Sequence, residues 1–562
     1  RLKDKGACVQ RPLWASTSTK NPAYPDTMYV DSLIGPDTVT TLPPETLEAF
    51  SDHGKAERTL DSQELSSLRM QLEALSFLGI SLDEITDDLE KEGVKKFANA
   101  YEGLLKALET SMNTHRKDIA TVADEVEEAM AEMRREQAGR RIWGRDVSLW
   151  TDDEEGMEEA GKRLGWLTLP EETPAELESY QQLLEELRED GVERVLWLGM
   201  GGSSLAADVL SNLFPNEGGM QLRVLDSTDP LAVSDAADWA EPRKTLYVTA
   251  SKSGTTAEPL AMLDYFWEAA SELGEQRGRH FAVVTDPGSA LEKRAEKEAF
   301  RKVIKAPSSV GGRYSALSAF GMLPAVLLGV NAEAVLEGAR SMAWLCGPNR
   351  EPSINPGLSL AALMAAGARS GRSILHLPAD PELKNLADWI EQLIAESSGK
   401  DGKGILPVVG QKPTASGFDD RDVVVYLRSS GEYDRMQSGW RKAGVPFCAL
   451  ETDPDPAGIG AAFFQWEYAT AAACALLDVN AFDQPNVQLA KTKTVSLMEN
   501  YQKSGQLPSP EILWEDENYS LAGSAPGSYD SLSAAVKDLA LSAEGSYLAL
   551  LVFLPQTSGH AK

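Results

Sequence analysis

The glycine-rich turn at residues 199–204, Gly-Met-Gly-Gly-Ser-Ser, constrains the fold of this chain more than any other feature. It directly follows the apolar run 195–198 and directly precedes the helix-like stretch 205–213. A turn of this kind leaves backbone N–H groups pointing into open space, where an anion such as phosphate can bind. The pattern therefore predicts an α/β unit that carries an anion site.

A second turn of the same kind follows further along the chain. The apolar run 246–250 leads into Ser-Lys-Ser-Gly-Thr-Thr at 251–256, which offers four hydroxyls and one ammonium. Two such turns in one α/β unit indicate a sugar-phosphate site. A nucleotide-binding loop is the alternative, but Leu205 stands where the dinucleotide pattern G-x-G-x-x-G needs its last glycine, and no G-x-x-x-x-G-K-[ST] occurs.

Apolar strand candidates alternate with amphipathic helical segments along most of the chain. The candidates lie at 194–199, 222–225, 245–250 and 280–285, followed by a second set at 373–377, 423–427 and 446–450. Alternation of this kind is typical of parallel sheets covered by helices on both faces. We expect two doubly wound α/β subdomains in tandem, with the ligand at the carboxyl ends of the strands.

Composition disfavours several classes of function. The formal net charge of −32 would repel a nucleic acid. No apolar run reaches the roughly 18–20 residues of a membrane-spanning helix. The four cysteines lie far apart, without the spacing of a metal site or a disulfide framework, and a reducing cytoplasm fits this usage best. We expect a cytoplasmic protein without a metal or another cofactor.

Residues 140–500 resemble the glucose-6-phosphate isomerase family, whose members contain two sugar-isomerase subdomains. Besides the two turns, the resemblance rests on three motifs: Gly-Gly-Arg-Tyr-Ser (311–315), Glu-Ser-Ser-Gly-Lys (396–400) and Phe-Asp-Gln-Pro-Asn-Val-Gln-Leu-Ala-Lys (482–491). It implies interconversion of glucose 6-phosphate and fructose 6-phosphate through an enediolate. That chemistry needs a base for a carbon-bound proton and a charge that stabilises the enediolate.

The resemblance also implies residue roles. Glu396 is the expected base, made more basic by partial desolvation at a helix end, and Arg313 faces the enediolate oxygen. The expected phosphate-binding residues are Ser251, Lys252, Ser253, Thr255, Thr256 and Gln484. Gly201, Gly202, Ser203 and Gly312 are expected near the sugar, and Lys491, rather than Lys493, is expected at its ring oxygen. Family members dimerise, so a homodimer is expected as well.

One motif of the family is changed. Many members carry a histidine in Gly-Gln-His-x-Phe that assists ring opening, whereas this chain has Ala461 and Ala462 there. Alanine transfers no proton. His376, at the end of a strand-like run, is expected to be a packed or hydrogen-bonded residue rather than a substitute. Ring opening is left to Lys491, to a water molecule or to a histidine from outside this chain.

A second resemblance covers residues 7–110, where three segments are similar to the C-terminal part of bacterial transaldolases. They are Gln-Arg-Pro-Leu-Trp-Ala-Ser-Thr (10–17), Thr-Lys-Asn-Pro-Ala-Tyr (19–24) and Ile-Gly-Pro-Asp-Thr-Val (34–39). Ser16 and Thr17 match that family's phosphate-binding segment. The Schiff-base lysine lies on earlier barrel strands that we do not find here, so we expect no transaldolase turnover and poor folding of this part alone.

Taken together, the chain resembles a fused transaldolase–glucose-6-phosphate isomerase whose front is missing. The expected divisions are 1–110 (incomplete barrel), 111–187 (helical connector), 188–345 and 346–500 (the two sugar-isomerase subdomains) and 501–562 (C-terminal segment with a strand at 547–554). Three alternatives stay open: a dual phosphoglucose/phosphomannose isomerase, a non-catalytic sugar-phosphate-binding module and an aldolase-type lyase.

Overall fold

The structure is a computed structural model of the chain. It describes residues 3–6, 8, 10–60, 65–215, 217–400, 402–483, 485–508, 511–517, 519–523 and 529–541. The strand expected at 547–554 lies outside the described residues. The chain forms two compact units, Arg1–Ser111 and Met112–Lys562, which are treated separately below. None of the described helices combines the length and apolar character needed to cross a bilayer.

The first unit contains two short parallel strands and several helices. Its elements are β1 (Leu13–Trp14), α1 (Met28–Asp31), β2 (Val39–Thr40), α2 (Pro44–His53), α3 (Leu65–Phe77) and the larger part of α4 (Leu82–Asp118). Strands β1 and β2 pair with each other through Leu13–Val39 and Trp14–Thr40. Large apolar side chains stay exposed on α3 and α4; Phe77 is 93% and Phe97 82% exposed. The described part of this unit therefore leaves much of its apolar surface unburied.

The second unit begins with helices that lead into a five-stranded parallel sheet of order β4-β3-β5-β6-β7. The helices are α5 (Ala123–Arg135), α6 (Ala138–Trp143), α7 (Glu154–Gly161), α8 (Leu169–Glu172) and α9 (Pro174–Glu189). The sheet region comprises β3 (Arg194–Gly199), α10 (Leu205–Leu213), β4 (Gln221–Leu225), α11 (Pro230–Trp239), β5 (Thr245–Ala250), α12 (Ala257–Ala269), β6 (Phe281–Thr285), α13 (Ala290–Lys297) and β7 (Lys302–Lys305).

A second, four-stranded parallel sheet has the order β11-β10-β8-β9. Its elements are α14 (Ala319–Leu328), α15 (Ala332–Leu345), α16 (Pro356–Arg369), β8 (Ile374–His376), α17 (Lys384–Ser398), β9 (Leu406–Val408), β10 (Asp422–Arg428), α18 (Asp434–Ala443), β11 (Phe447–Glu451) and α19 (Pro456–Leu476). The chain continues with α20 (Pro485–Ser504), the antiparallel pair β12 (Ile512–Glu515) and β13 (Ser520–Ala522), and α21 (Leu532–Leu541). The two doubly wound sheets confirm the predicted fold class.

Both sheets reverse their winding at the same relative place. In the first sheet β4 lies on one side of β3 and β5 on the other, and in the second sheet β9 and β10 flank β8 in the same way. Ligands of open α/β sheets bind at such switch points, beside the carboxyl ends of the strands. Gly199 pairs with Ala250 across this point, so both predicted anion-binding turns start side by side.

One large apolar core joins the two sheets. It includes residues of β3 and β5 from the first sheet, of β8 and β10 from the second, and of the helices α14 to α17 and α19 between them. Smaller cores cover the outer face of each sheet. Helices α15 and α19 approach closely at Gly338 and Gly460, where a Cβ atom would overlap the opposite backbone. This packing holds the two sheets as one body.

Candidate active site

The first glycine-rich turn is held rigidly at the end of β3. Gly201 adopts a positive φ of 55°, which favours glycine. The indole of Trp197 donates to the Ser203 carbonyl over 2.8 Å, and the Ser204 hydroxyl donates to the Gly201 carbonyl over 3.0 Å. A Cβ atom on Gly202 would overlap the Gly312 carbonyl. The turn therefore packs directly against the backbone that precedes Arg313.

The second turn presents its hydroxyls at the neighbouring strand end. Ser253 and Thr255 are exposed and their hydroxyls lie 2.9 Å apart. Ser251 is buried, and its hydroxyl donates to that of Thr256 over 3.3 Å. Gly254 has a positive φ of 64° and packs on Ser289 and Leu291. The turn is thus a pre-formed hydroxyl-rich loop.

Lys252 has an acidic partner within the protein. Its ammonium donates to both carboxylate oxygens of Asp286, over 2.6 and 2.7 Å, and to the Ser308 carbonyl over 3.4 Å. Burial lowers the pKa of Lys252, while the hydrogen bonds with Asp286 act in the opposite direction. A phosphate at this turn would share the lysine with Asp286.

Arg313 is the buried cation of the site. Its side chain is 1% exposed, and its Nε donates to the Ser397 hydroxyl over 2.7 Å. Its Nη2 donates to the Ala481 carbonyl over 2.5 Å and to the Asp483 carbonyl over 3.2 Å. Three acceptors therefore fix the guanidinium plane, while Nη1 points toward Glu396.

Glu396 lies near the end of α17, whose other face is buried in the core. Its carboxylate is 30% exposed, and one oxygen lies 3.6 Å from Arg313 Nη1. Gln392, one helical turn earlier, donates to the other oxygen over 2.8 Å. Residues at i and i+4 share one face of a helix. A carboxylate beside a fixed cation is an arrangement that suits proton transfer next to a carbonyl.

Gln392 is a site residue that the sequence analysis missed. Its amide also lies against the first turn, since a Cβ atom on Gly201 would come within 2.5 Å of Gln392 Nε2. The i, i+4 spacing to Glu396 could have identified it. Through these contacts the structure brings together Gly201, Gly202, Ser203, Gly312, Arg313 and Glu396.

Other predicted residues are not joined to this cluster. Lys491 and Lys493 lie exposed on α20, and within the described part of the chain no hydrogen bond connects either one to Glu396 or Arg313. Gln484 lies outside the described residues. Ala461 and Ala462 lie in α19, with Ala462 5% exposed. The role predicted for Lys491 stays a prediction.

His376 is hydrogen-bonded inside the second sheet, as predicted. Its Nε2 lies 2.9 Å from a carboxylate oxygen of Asp422, and its ring packs edge-on against Phe418. Among the described residues, no group of three or more His, Cys, Asp or Glu side chains is arranged to hold a metal ion.

In the first unit, the two predicted phosphate-binding residues differ in their surroundings. Ser16 is exposed and has a positive φ of 55°. Thr17 is 1% exposed, and its hydroxyl donates to the Thr41 carbonyl over 2.7 Å. Ser16 is therefore accessible to a ligand, whereas the Thr17 hydroxyl already has a partner.

Two doubly wound sheets with a carboxylate beside a buried arginine and a hydroxyl-rich loop at a strand end have the architecture of a sugar-phosphate isomerase. Comparison with known proteins agrees. Residues 187–406 match the family model described as "Phosphoglucose isomerase". Glucose-6-phosphate isomerase of Rubrobacter xylanophilus is 31% identical over 387 residues, which cover 59% of this chain and 89% of the relative. The chain belongs to the glucose-6-phosphate isomerase family, and it is an isomerase.

A solved structure supports the same fold. The crystal structure of a hypothetical protein from Thermus thermophilus superposes with a TM-score of 0.59 and 27% sequence identity. The match covers 67% of this chain and 98% of that protein. The chain therefore shares the fold of almost the whole of that protein.

The N-terminal part is similar to a different family. Residues 2–108 match the family model described as "Transaldolase/Fructose-6-phosphate aldolase". A transaldolase of Acidothermus cellulolyticus is 45% identical over 117 residues, which cover 21% of this chain and only 32% of that relative. The chain therefore joins a transaldolase segment to an isomerase, and it spans about a third of the transaldolase it matches.

Proposed function

We propose that this chain interconverts glucose 6-phosphate and fructose 6-phosphate through an enediolate. The observation that carries the proposal is the Glu396 carboxylate, partly open to solvent, 3.6 Å from the buried guanidinium of Arg313. A base whose neighbouring positive charge is held in place before the reaction starts can abstract a weakly acidic proton and stabilise the anion that results.

In the proposed reaction Glu396 removes the proton from C2 of the open-chain aldose. The electron pair of that bond forms the C1–C2 double bond, and the negative charge moves to the carbonyl oxygen on C1, where Arg313 stabilises it. Glu396 then returns the proton to C1, while a proton passes from the C2 hydroxyl oxygen to the oxygen on C1. The ketose results without net gain or loss of electrons.

The substrate phosphate is proposed to bind at the second turn. Ser251, Ser253, Thr255 and Thr256 supply hydroxyls, and Lys252 supplies positive charge in partnership with Asp286. Gly201, Gly202, Ser203 and Gly312 would border the sugar. Gln484 is proposed to contribute to phosphate binding, and Lys491, on α20, is proposed to contact the ring oxygen. This placement keeps the reacting carbons close to Glu396, because the two turns start side by side.

The remaining proposals concern the whole protein. By resemblance we propose that the protein is cytoplasmic and acts without a cofactor or nucleic acid. We also propose a homodimer, and sedimentation of the purified chain would test this oligomeric state. For residues 1–111 we propose no transaldolase turnover, because no Schiff-base lysine was identified in this segment. A transaldolase assay on the same preparation would test that.

The experiment for the main proposal compares Glu396→Gln with Glu391→Gln. Both residues lie on α17, but Glu391 is exposed and outside the cluster. A coupled assay on fructose 6-phosphate should show a loss of about 10²–10⁴-fold in kcat for Glu396→Gln and nearly unchanged turnover for Glu391→Gln. Full activity of Glu396→Gln would reject Glu396 as the base.

Two further readouts separate the alternatives. Turnover of mannose 6-phosphate by the unaltered chain would establish a dual phosphoglucose/phosphomannose isomerase. Binding of fructose 6-phosphate with no turnover by the unaltered chain would reject the isomerase proposal in favour of a binding module.

A further inference from the structure

Two buried cations hold the short segment 480–483, which precedes α20. Arg313 donates to the carbonyls of Ala481 and Asp483, as described above. From another direction, Lys400 donates to the Asn480 carbonyl and forms an ion pair with Asp483, whose carboxylate oxygen lies 2.5 Å from its Nζ. The segment is thus bound on both sides by positive charge.

Arg313 depends on this segment for its orientation. Two of its three hydrogen-bond acceptors are main-chain carbonyls of residues 481 and 483, and the third is the Ser397 hydroxyl. If the segment moved, Nη2 would lose its acceptors, and the Nη1 group that faces Glu396 would be free to turn away. The orientation of the guanidinium therefore depends on the positions of these two carbonyls.

The Lys400 ammonium is buried, so its charge has to be stabilised by groups of the protein rather than by solvent. Its side chain is 5% exposed. Burial lowers its pKa, and the partner Asp483 acts in the opposite direction. A buried ammonium needs an acidic partner and further acceptors to remain charged. Here the carboxylate of Asp483 and the Asn480 carbonyl supply both.

We propose that Lys400 is a positioning residue for Arg313: by fixing segment 480–483 it sets the guanidinium that stabilises the enediolate. The proposal rests on the proposed isomerase function for its kinetic consequence. Lys400 acts through Arg313 and does not touch substrate in this proposal.

The neighbouring Lys403 provides a matched control. Its Nζ also donates to main-chain carbonyls, those of Leu477 over 3.1 Å and Asp478 over 3.4 Å. Its side chain is 47% exposed, and its acceptors lie at the end of α19, outside segment 480–483. Both lysines therefore bind backbone oxygens, but only Lys400 binds the segment that orients Arg313.

The test compares Lys400→Met, Lys400→Arg and Lys403→Met in the full chain. For Lys400→Met we expect kcat to fall by about 100-fold, the usual cost of a misplaced catalytic group, with little change in KM. Lys400→Arg, which keeps the charge and can still donate to the Asn480 carbonyl, should recover most of the loss. Lys403→Met should leave kcat and KM near those of the unaltered chain.

Two ligands make the test specific. One is a sugar-acid phosphate whose carboxylate imitates the enediolate, and the other is an alditol phosphate that is neutral at that end. Lys400→Met should lower the affinity for the carboxylate ligand by a factor similar to the fall in kcat. Its affinity for the neutral ligand should stay the same, because the phosphate turn is untouched.

Either of two results would overturn the proposal. One is equal weakening of both ligands together with a lower melting temperature, which would indicate a general structural role. The other is an unchanged affinity of Lys400→Met for both ligands. If the unaltered chain showed no turnover, the proposed isomerase function would fail, while the ratio of the two affinities would still decide whether Lys400 positions Arg313.

Discussion

The strand order of the two parallel sheets reverses at equivalent strands, yet the turns at these points differ in the groups that bind their backbone N–H groups. In the first sheet, the turn 251–256 after β5 keeps exposed hydroxyls, and among the described residues no carboxylate accepts from its N–H groups. In the second sheet, the turn 429–431 after β10 donates two N–H groups to the carboxylate of Asp380.

Asp380 thus occupies the position that an external anion could take. It is fully buried, and it accepts from the N–H groups of Ser429 over 2.9 Å and Gly431 over 2.8 Å, and from the Tyr426 hydroxyl over 2.5 Å. The comparison shows that, in one architecture, a carboxylate of the chain can accept from the N–H groups of one such turn while the other turn has none among the described residues. The difference comes from the carboxylates that meet the second turn, Asp380 and also Glu382, which accepts from the Ser429 hydroxyl, and not from the fold.

The largest expected effect comes from making the first turn resemble the second. Ser253→Asp would place a carboxylate where the substrate phosphate is proposed to bind. Juxtaposed like charges cost several kcal/mol, so kcat/KM for fructose 6-phosphate should fall by about 1,000-fold. Ser430→Asp, at an exposed position of the second turn, should keep kcat/KM. Equal losses of kcat/KM in the two variants would contradict the proposed difference between the two turns.

A second substitution tests whether the first sheet's site needs close backbone contact. A methyl group on Gly202 would overlap the Gly312 carbonyl, whereas one on Gly311 would meet only Tyr314, 3.9 Å away. Gly202→Ala should displace the Arg313 backbone and lower kcat about 100-fold. Gly311→Ala should change kcat little. Steady-state kinetics of both variants, with circular dichroism as a folding control, provide the measurement.

The third prediction concerns stability rather than activity. Asp380→Asn removes the charge that satisfies the second turn, and it should lower the free energy of unfolding by about 2 kcal/mol. Asp419→Asn breaks an ion pair with Arg421 that is about half exposed on both sides, so it should change the free energy of unfolding much less than Asp380→Asn. Urea unfolding of both variants compares the two costs. An unaltered urea midpoint in Asp380→Asn would contradict the prediction that this carboxylate stabilises the second turn.

The smallest expected effect is the pH dependence of that contribution. Burial opposes ionisation of Asp380, but hydrogen bonds from Tyr426, Ser429 and Gly431 leave its pKa below the ordinary 3.8. A lowered pKa in the folded state contributes stability above pH 3.8, which is lost as pH falls through the folded-state pKa. The stability gap between the unaltered chain and Asp380→Asn should therefore be constant from pH 8 to pH 5 and shrink as pH falls through the folded-state pKa. Urea titrations at pH 7 and pH 3 measure it.

Much of the fold could be predicted from sequence because buried parallel strands are continuous apolar runs. Strands β3 and β5 were predicted with their observed bounds, and β6, β8, β10 and β11 within a residue or two. The two strands of these two sheets that were missed, β7 and β9, lie at sheet edges. Strand β7 carries a lysine at each end and β9 contains a proline, both of which weaken a strand pattern but are tolerated at an edge.

The sequence by itself determined the chemical groups of the candidate site: a glycine-rich turn, a hydroxyl-rich turn, a carboxylate in a helical motif and an arginine after paired glycines. Each is a local pattern, since it depends on neighbouring residues only. The tertiary structure alone decided which groups meet. Arg313 and Glu396 are far apart in the chain, and their 3.6 Å separation depends on packing of the two sheets.

The same reason explains the contacts that no pattern indicated. The pairing of Lys252 with Asp286, the position of Asp380 in the second turn and the hold of Lys400 on segment 480–483 all join residues distant in sequence. A charged side chain in a motif specifies what it can bind. Only the folded chain decides whether its partner is a substrate or another part of the protein, because the core sets which strand ends and loops lie together.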